Sequence, residues 1–322
     1  MSPEPRSYYG HAVIKTPVWS WEVPCYFFAG GLAGASAGLA YLAGLRGNEE
    51  LARRAWGVSM AGIAVSPALL ISDLGRPMRF ANMLRMFKVT SPMSVGSWIL
   101  SGSGATTTVA AVHAWTGVFP RLARVARPAA AVLGLPLSTY TAALLANTAV
   151  PVWHAGRKGL PFVFAAGAAV NAGAASVLVT PPPQARPARR LALGAALLKQ
   201  LMRLTEEREV GGLGEVYLHG SAHRYRSISR ACLAAGAGLL LARGGRSQSA
   251  ARLAGALLLG SELSSRWSVF HAGLQSTVDP KYVVGPQRDA IDRGKRRGGS
   301  RTRARVAAGD PALGSPATTL SG

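Results

Sequence analysis

The stretch Asp73-Leu74-Gly75-Arg76-Pro77 holds the residue types that most directly invite chemistry. It closes a long apolar run, and a Gly just past a helix end with a Pro soon after forms a standard stop, so Gly75 and Pro77 have a structural reason to be there. Asp73 has no such reason, because a carboxylate in the last turn faces the negative end of the helix dipole. Burial and that dipole favour the neutral acid, whereas Arg76 favours the carboxylate. A local Asp73–Arg76 pair that staples the loop is the plainer alternative. Ionisable groups at membrane depth usually mark a pathway or a site, and this tips the balance toward function.

A second stretch, Thr90-Ser91-Pro92-Met93-Ser94-Val95-Gly96-Ser97-Trp98, opens another apolar run. Ser91 suits an N-cap and Pro92 the first helical position, which accounts for those two by capping alone. Ser94, Ser97 and Trp98 lie three and four apart and share a face, so two hydroxyls and an indole N–H stand beside a helix N-terminus. Such a face can hydrogen-bond a carbonyl-bearing ligand or equally make an ordinary polar helix contact. Upstream, Trp19-Ser20-Trp21-Glu22-Val23-Pro24 places two Trp at interfacial depth and an acid ahead of a Pro. Glu22 suits the positive end of the helix that follows, and a cap is its plain reading. His113 and His154 stand near the ends of the clear apolar runs but on opposite membrane faces, which argues against a haem held by both. Glu262 and Arg266 are four apart and spaced to pair, with Lys199 as an alternative partner. Cys25 and Cys232 lie far apart with no C-x-x-C and no nearby His, so no disulfide framework, zinc site or iron–sulfur cluster is expected.

These residues must be positioned by apolar helices. Of 322 residues, 49% are hydrophobic and only 16% charged, against roughly a quarter charged in an average soluble domain. The net charge of +22 could serve nucleic acid or anionic lipid. The basic residues sit between long apolar runs rather than along one face, which favours lipid and disfavours nucleic acid. Spanning the hydrocarbon layer takes roughly 20 apolar helical residues. Pro24–Leu45, Ala55–Ser72, Pro92–Trp115, Pro128–His154 and Leu160–Thr180 meet that test without Lys, Arg, Asp or Glu inside. Leu191–Leu204, Ile228–Ala242 and Arg252–Ala272 are weaker because each carries charge. The expected fold is therefore an all-α integral membrane protein, a bundle of about eight transmembrane helices. The first apolar run is too long for a signal sequence and reads as a permanent span. Gly30, Gly34 and Gly38 repeat every fourth residue along it, the spacing of a close helix contact.

The expected organisation is an interfacial segment over 1–23, a polytopic helical domain over 24–284, and a basic tail over 285–322 whose composition predicts disorder. Eight spans place both termini on one face, together with Asp73–Ser91, Ala155–Gly159 and the Thr205–Ser227 connection. The opposite loops, Arg46–Arg54, Thr116–Arg127, Pro181–Arg190 and Arg243–Ala251, are short and arginine-dense, which assigns them to the cytoplasm. The basic tail on the terminal face gives the opposite signal for orientation. In either orientation Glu22, Asp73, Ser94 and His154 approach the membrane from the same side.

Three of these stretches resemble the NrfD/PsrC-like membrane subunits of molybdopterin oxidoreductase complexes: Trp21-Glu22-Val23-Pro24-Cys25-Tyr26-Phe27-Phe28-Ala29-Gly30-Gly31, Asp73 to Pro77, and Ser91 to Trp98. Asp279-Pro280-Lys281-Tyr282 adds to the likeness, and the remainder matches mainly in helix pattern. The resemblance implies a multi-pass plasma-membrane subunit without haem or iron–sulfur cluster of its own. It implies menaquinone or ubiquinone bound near one face, a ferredoxin-like iron–sulfur subunit docked there, and a molybdenum or tungsten catalytic subunit beyond. In that frame Asp73 is the proton-accepting base, and Arg76 holds it or shares the proton exit. Tyr26, Ser94, Trp98 and His154 meet the quinone head group, and Glu22 lines the proton route or the docked partner. The rival readings are a purely structural anchor and a secondary transporter.

Overall fold

The computed structural model describes residues 14–74, 76, 78–279, 281–283 and 294, and among these it is all helix with no strand. Ten α-helices and one 3-10 turn follow in order: α1 Glu22–Leu45, α2 Glu49–Asp73, α3 Met78–Leu84, α4 Pro92–Thr116 and α5 Pro120–Ala146. Next come α6 Pro151–Ala155, α7 Leu160–Val179, α8 Arg186–Val210, the 3-10 turn Gly211–Leu218, α9 Gly220–Ala242 and α10 Gln248–Val278. The expected basic tail and the first thirteen residues lie outside the described residues, apart from Gly294. So do Gly75, Pro77 and Pro280, and with them the helix-stop reading and part of the last motif.

Among the described residues four helices, α1, α2, α5 and α7, are both long and apolar enough to cross a membrane. The expected span at Pro92–Trp115 is a helix of 25 residues, but Ser, Thr and Gly make up much of it. Its hydroxyls satisfy themselves along the helix: Ser101 Oγ donates to Ser97 O and Thr108 Oγ1 to Gly104 O. The expected run Pro128–His154 is differently divided. α5 begins at Pro120, runs through Pro128 and Pro136, and ends at Ala146. A separate short helix, α6, starts with Pro151 at its first position, where the missing N–H costs nothing. The connection expected at Thr205–Ser227 is largely helical, since α8 continues to Val210 and turns only at Gly211, whose φ of +54° suits a residue without Cβ.

Helix ends follow local chemistry. Asn48 caps α2 by accepting from Leu51 N at 3.1 Å, and Glu49 and Glu50 fill its first turn. Ser91 caps α4 in the same way, and Gly117 at φ +75° ends it. The helices pair as antiparallel neighbours α1–α2, α4–α5, α7–α8 and α9–α10. α1, α2, α4 and α5 form one group and α7 to α10 another, joined where α1 and α5 pack on α7 and α1 on α10. Of Gly30, Gly34 and Gly38 on α1, only Gly34 makes a backbone approach. A Cβ there would stand 2.3 Å from the Gly134 carbonyl oxygen of α5, while Gly30 and Gly38 have open space.

Bonds between loops sort the two ends of the bundle. At one end Thr16 bonds Thr277 at 3.1 Å, Trp19 stacks on Trp153 with centroids 5.5 Å apart, and Gly159 N donates to Glu209 at 2.9 Å. At the other, Asn48 Nδ2 donates to Gln184 O at 2.9 Å and Arg189 to Gly244 O at 3.1 Å. These are the two loop sets that alternation assigns.

Candidate functional site

The end of the bundle that carries Trp19 gathers most of the expected residues. Glu22 opens α1 and Asp73 closes α2, and because the two helices are antiparallel neighbours their carboxylates arrive together. The hydroxyl of Ser20 joins them: it donates to Glu22 and lies 3.2 Å from Asp73 Oδ1. One hydroxyl proton cannot serve two carboxylates at once, so Ser20 donates to one of the two at a time. Both acids are half-buried and Ser20 is exposed, so the pair is open to its surroundings.

The Asp73–Arg76 staple does not form among the described residues. Arg76 is exposed, and it is Arg79 that reaches back, donating to Leu74 O at 3.2 Å. One turn below Glu22, Tyr26 is 3% exposed and its hydroxyl is buried without a hydrogen-bond partner. Its ring meets Tyr140 of α5 edge-on at 6.3 Å. Tyr140 in turn packs over Gly96 of α4, where a Cβ would stand 2.2 Å from the ring. A buried phenol without a partner is uncommon.

Ser94 and Trp98 are placed differently. Ser94 Oγ donates to Met86 O at 2.9 Å and accepts from Lys88 N at 3.1 Å, so its hydroxyl is committed to the loop before α4. Trp98 is exposed and meets Phe87 edge-on at 6.2 Å. His154 lies on α6 rather than at the end of a long span. It is exposed, its Nδ1 sits 3.3 Å from Ala146 O, and it borders a cavity of about 490 Å³ with Thr148 and Tyr282. Its neighbour Trp153 anchors α6 by donating to Val269 O at 2.8 Å.

The structure thus brings Glu22, Asp73 and Tyr26 toward one another and leaves Ser94, Trp98 and His154 around the rim. Ser20 and Tyr140 are additions that the sequence does not single out. Ser20 sits inside a motif already noted, two residues before Glu22, whereas a lone Tyr in the last third of α5 carries no signal in sequence.

Ionisable residues also meet in the other helix group. Lys199 Nζ donates to Glu262 Oε1 at 2.6 Å, so the carboxylate takes the alternative partner over Arg266. Arg266 donates instead to Phe164 O at 3.0 Å and lies 3.7 Å over the Phe164 ring. At the exposed end, Lys281 Nζ is 3.2 Å from Glu215. Hydrogen bonds to Tyr282 and Glu215 hold its amine above the usual lysine range. No group of three or more His, Cys, Asp or Glu suited to a metal ion occurs among the described residues.

An all-helical membrane protein with paired carboxylates at one helix-bundle end is the class that fold and site define. The family model described as "Polysulfide reductase" (NrfD_2) matches residues 6–279, and the protein belongs to that family. It is also similar to the C subunit of the polysulfide reductase of Wolinella succinogenes, with 34% identity over 91 residues. That stretch covers 26% of this protein and 28% of the relative.

Proposed function

We propose that this protein is the quinone-reactive membrane subunit of a multi-subunit oxidoreductase, crossing the plasma membrane eight times. One juxtaposition carries the reading: Glu22 and Asp73 meet on the Ser20 hydroxyl, with the partnerless Tyr26 hydroxyl one turn deeper. α4, α8, α9 and α10 have 23 to 31 residues, enough at 1.5 Å per residue for the remaining four spans. α2 and α5 run unbroken through their prolines, unlike the discontinuous helices of many transporters.

A quinol, when bound, supplies two electrons and two protons. The residues present suit such a ligand, since the Tyr26 O–H is a free donor for a carbonyl in an apolar wall. Asp73 takes a proton and Ser20 passes it toward Glu22, which is half-buried and releases it to the surroundings, while the Arg76 cation stands exposed nearby and favours the charged carboxylate. Ser94 fixes the loop before α4, and Trp98 and His154 border the entrance. Menaquinone and ubiquinone both meet these requirements.

Electrons leave through a partner. The relative's name marks it as one subunit of a complex. α3 has no buried residue, and Met78, Met86, Phe87 and Val89 around it are exposed. This apolar strip receives a ferredoxin-like iron–sulfur subunit, with a molybdenum or tungsten catalytic subunit beyond it.

The test is quinol oxidation and quinone reduction by the purified complex, wild type against Asp73→Asn, at matched quinone concentration and equal assembly. Loss of a positioned base lowers turnover by about 10²-fold or more. Unchanged turnover makes the protein a structural anchor and removes Asp73 from the chemistry.

A further inference from the structure

The costliest feature of the fold lies away from that face. Lys199, Glu262 and Arg266 are 1%, 0% and 2% exposed, near the middle of α8 and α10. Two cations face one carboxylate there, and the carboxylate's second oxygen, Oε2, is buried without a partner. Arg266 is engaged by the carbonyl and ring of Phe164. Gly167 of α7 makes the room: a Cβ there would stand 2.4 Å from Glu262 Oε2. Asn171, one turn further along α7, is fully buried with both amide atoms unpaired. α9 contributes Ser229, bonded to Ser261. Breaking even is the best such an ion pair usually does for stability, so stability alone does not explain it.

The surroundings supply an explanation. α8 and α10 do not pack backbone to backbone: α10 packs on α7 and α9, and α8 mainly on α7. The gap is a cavity of about 510 Å³ lined by Arg203, Glu206, Glu207, Tyr217, Arg226 and Ser265. Lys199, Arg203 and Glu206 recur at spacings of four and three on α8 and so share one face along it. Ser265, at the inner end, already accepts from Lys199 Nζ at 3.1 Å. Arg226 pairs with Glu207 at the outer end, beside the 3-10 turn. The remaining wall is apolar, with Val163, Val210, Leu218 and Val269, and the convergent polar side chains give water in a cavity of this size several partners.

We propose that this seam is a water-filled proton half-channel, open at the Gly211–Leu218 end of the bundle and ending on the Lys199–Glu262 pair. A hydronium ion in the cavity passes its proton by way of the Ser265 hydroxyl to the neutral amine of Lys199, leaving water and an ammonium. The return step reverses this, and no other bond is made or broken. With Arg266 and Glu262 charged, release of that one proton leaves the layer with no net charge, which makes exchange rather than permanent protonation the natural state. Nothing in this inference requires quinone.

The test uses the full-length protein with Cys25→Ser and Cys232→Ser in sealed membrane vesicles of known orientation. Ser265→Cys, buried Leu258→Cys and exposed Lys281→Cys are treated with a membrane-impermeant cationic thiosulfonate, and labelling is read by mass spectrometry. The expected result is labelling at 265 only from the side that labels 281, and none at 258. No labelling at 265 from either side, or equal labelling from both, overturns the half-channel. If Ser265→Cys fails to accumulate, Ser268→Cys on the same wall gives the same reading. The second arm records infrared difference spectra of the purified protein between about pH 5 and pH 9. A carboxylate band that shifts with pH and is lost in Glu262→Gln is expected, since Glu262 faces the proton whichever partner releases it. A band that does not move makes the pair a fixed strut. Both readouts stand whether or not Asp73→Asn affects quinol turnover.

Discussion

Removing Glu262 should harm this protein more than removing Lys199, although the two form one ion pair. The asymmetry follows from the third member. Glu262→Leu leaves Arg266 buried as a cation without a carboxylate and Lys199 beside it with no anion to hold its charge, with only Ser265 and the Phe164 carbonyl as polar partners. Lys199→Met leaves Glu262 with Arg266 on the same helix. Glu262 Oε2 and Arg266 Nη2 already flank one point, 2.4 and 3.1 Å from where a Gly167 Cβ would stand, so a small rotation pairs them. Deleting one partner of a buried pair costs about 3–5 kcal/mol when the other is left uncompensated. Glu262→Leu falls in that range, and Lys199→Met at about half of it, because Arg266 takes over the compensation. At roughly 2–4 °C per kcal/mol for a protein approaching this size, the expected loss of Tm is about 10 °C for the first and about 5 °C for the second. Thermal unfolding of the purified protein in one detergent measures both. A Lys199→Met variant that melts at or below Glu262→Leu refutes the charge count on which the ordering rests.

Three further outcomes are expected. Gly34→Ala drives a methyl to within 2.3 Å of the Gly134 carbonyl oxygen and should cost about 1–3 kcal/mol, whereas Gly38→Ala, with open space, should melt within about 0.5 kcal/mol of wild type. Trp153→Phe removes the indole donor to Val269 O and should lower stability by about 1 kcal/mol, seen in the same melting experiment, with α6 more open to proteolysis. Ser20→Ala leaves Asp73 and Glu22 without their shared hydroxyl. It should lower quinol turnover by the purified complex less than Asp73→Asn does, with assembly intact, and turnover equal to wild type would exclude Ser20 from the proton route.

What the sequence made legible follows the range over which each signal acts. Helix length and apolarity are local, and each of the eight expected segments overlaps a long helix. Expected and observed boundaries differ where local chemistry permits two outcomes. Arg121, Arg124 and Arg127 read as a loop, yet Ala123 and Ala126 between them are buried and α5 starts at Pro120, so Arg121 and Arg124 occupy the exposed side of a helix and Arg127 turns half-buried toward Glu50 and Trp56 of α2. Alternation of spans was enough to bring Glu22 and Asp73 to one end of the bundle. It could not supply Tyr140, whose place beside Tyr26 depends on α1 and α5 meeting at Gly34 and Gly134, a contact between residues a hundred positions apart.

The buried pair shows the same limit from the other side. Spacing of four on one helix offered Arg266 to Glu262, and tertiary packing chose Lys199. Arg266 is drawn off because Phe164 presents both a carbonyl and a ring face to it, and a guanidinium that donates in its plane can stack on an aromatic at the same time. An ammonium has no such face, so Lys199 is the cation left to meet the carboxylate. The exchangeable proton of the pair is therefore a consequence of which cation Phe164 removes: with Arg266 held elsewhere, Glu262 is matched to the one basic side chain in the layer that can lose its charge.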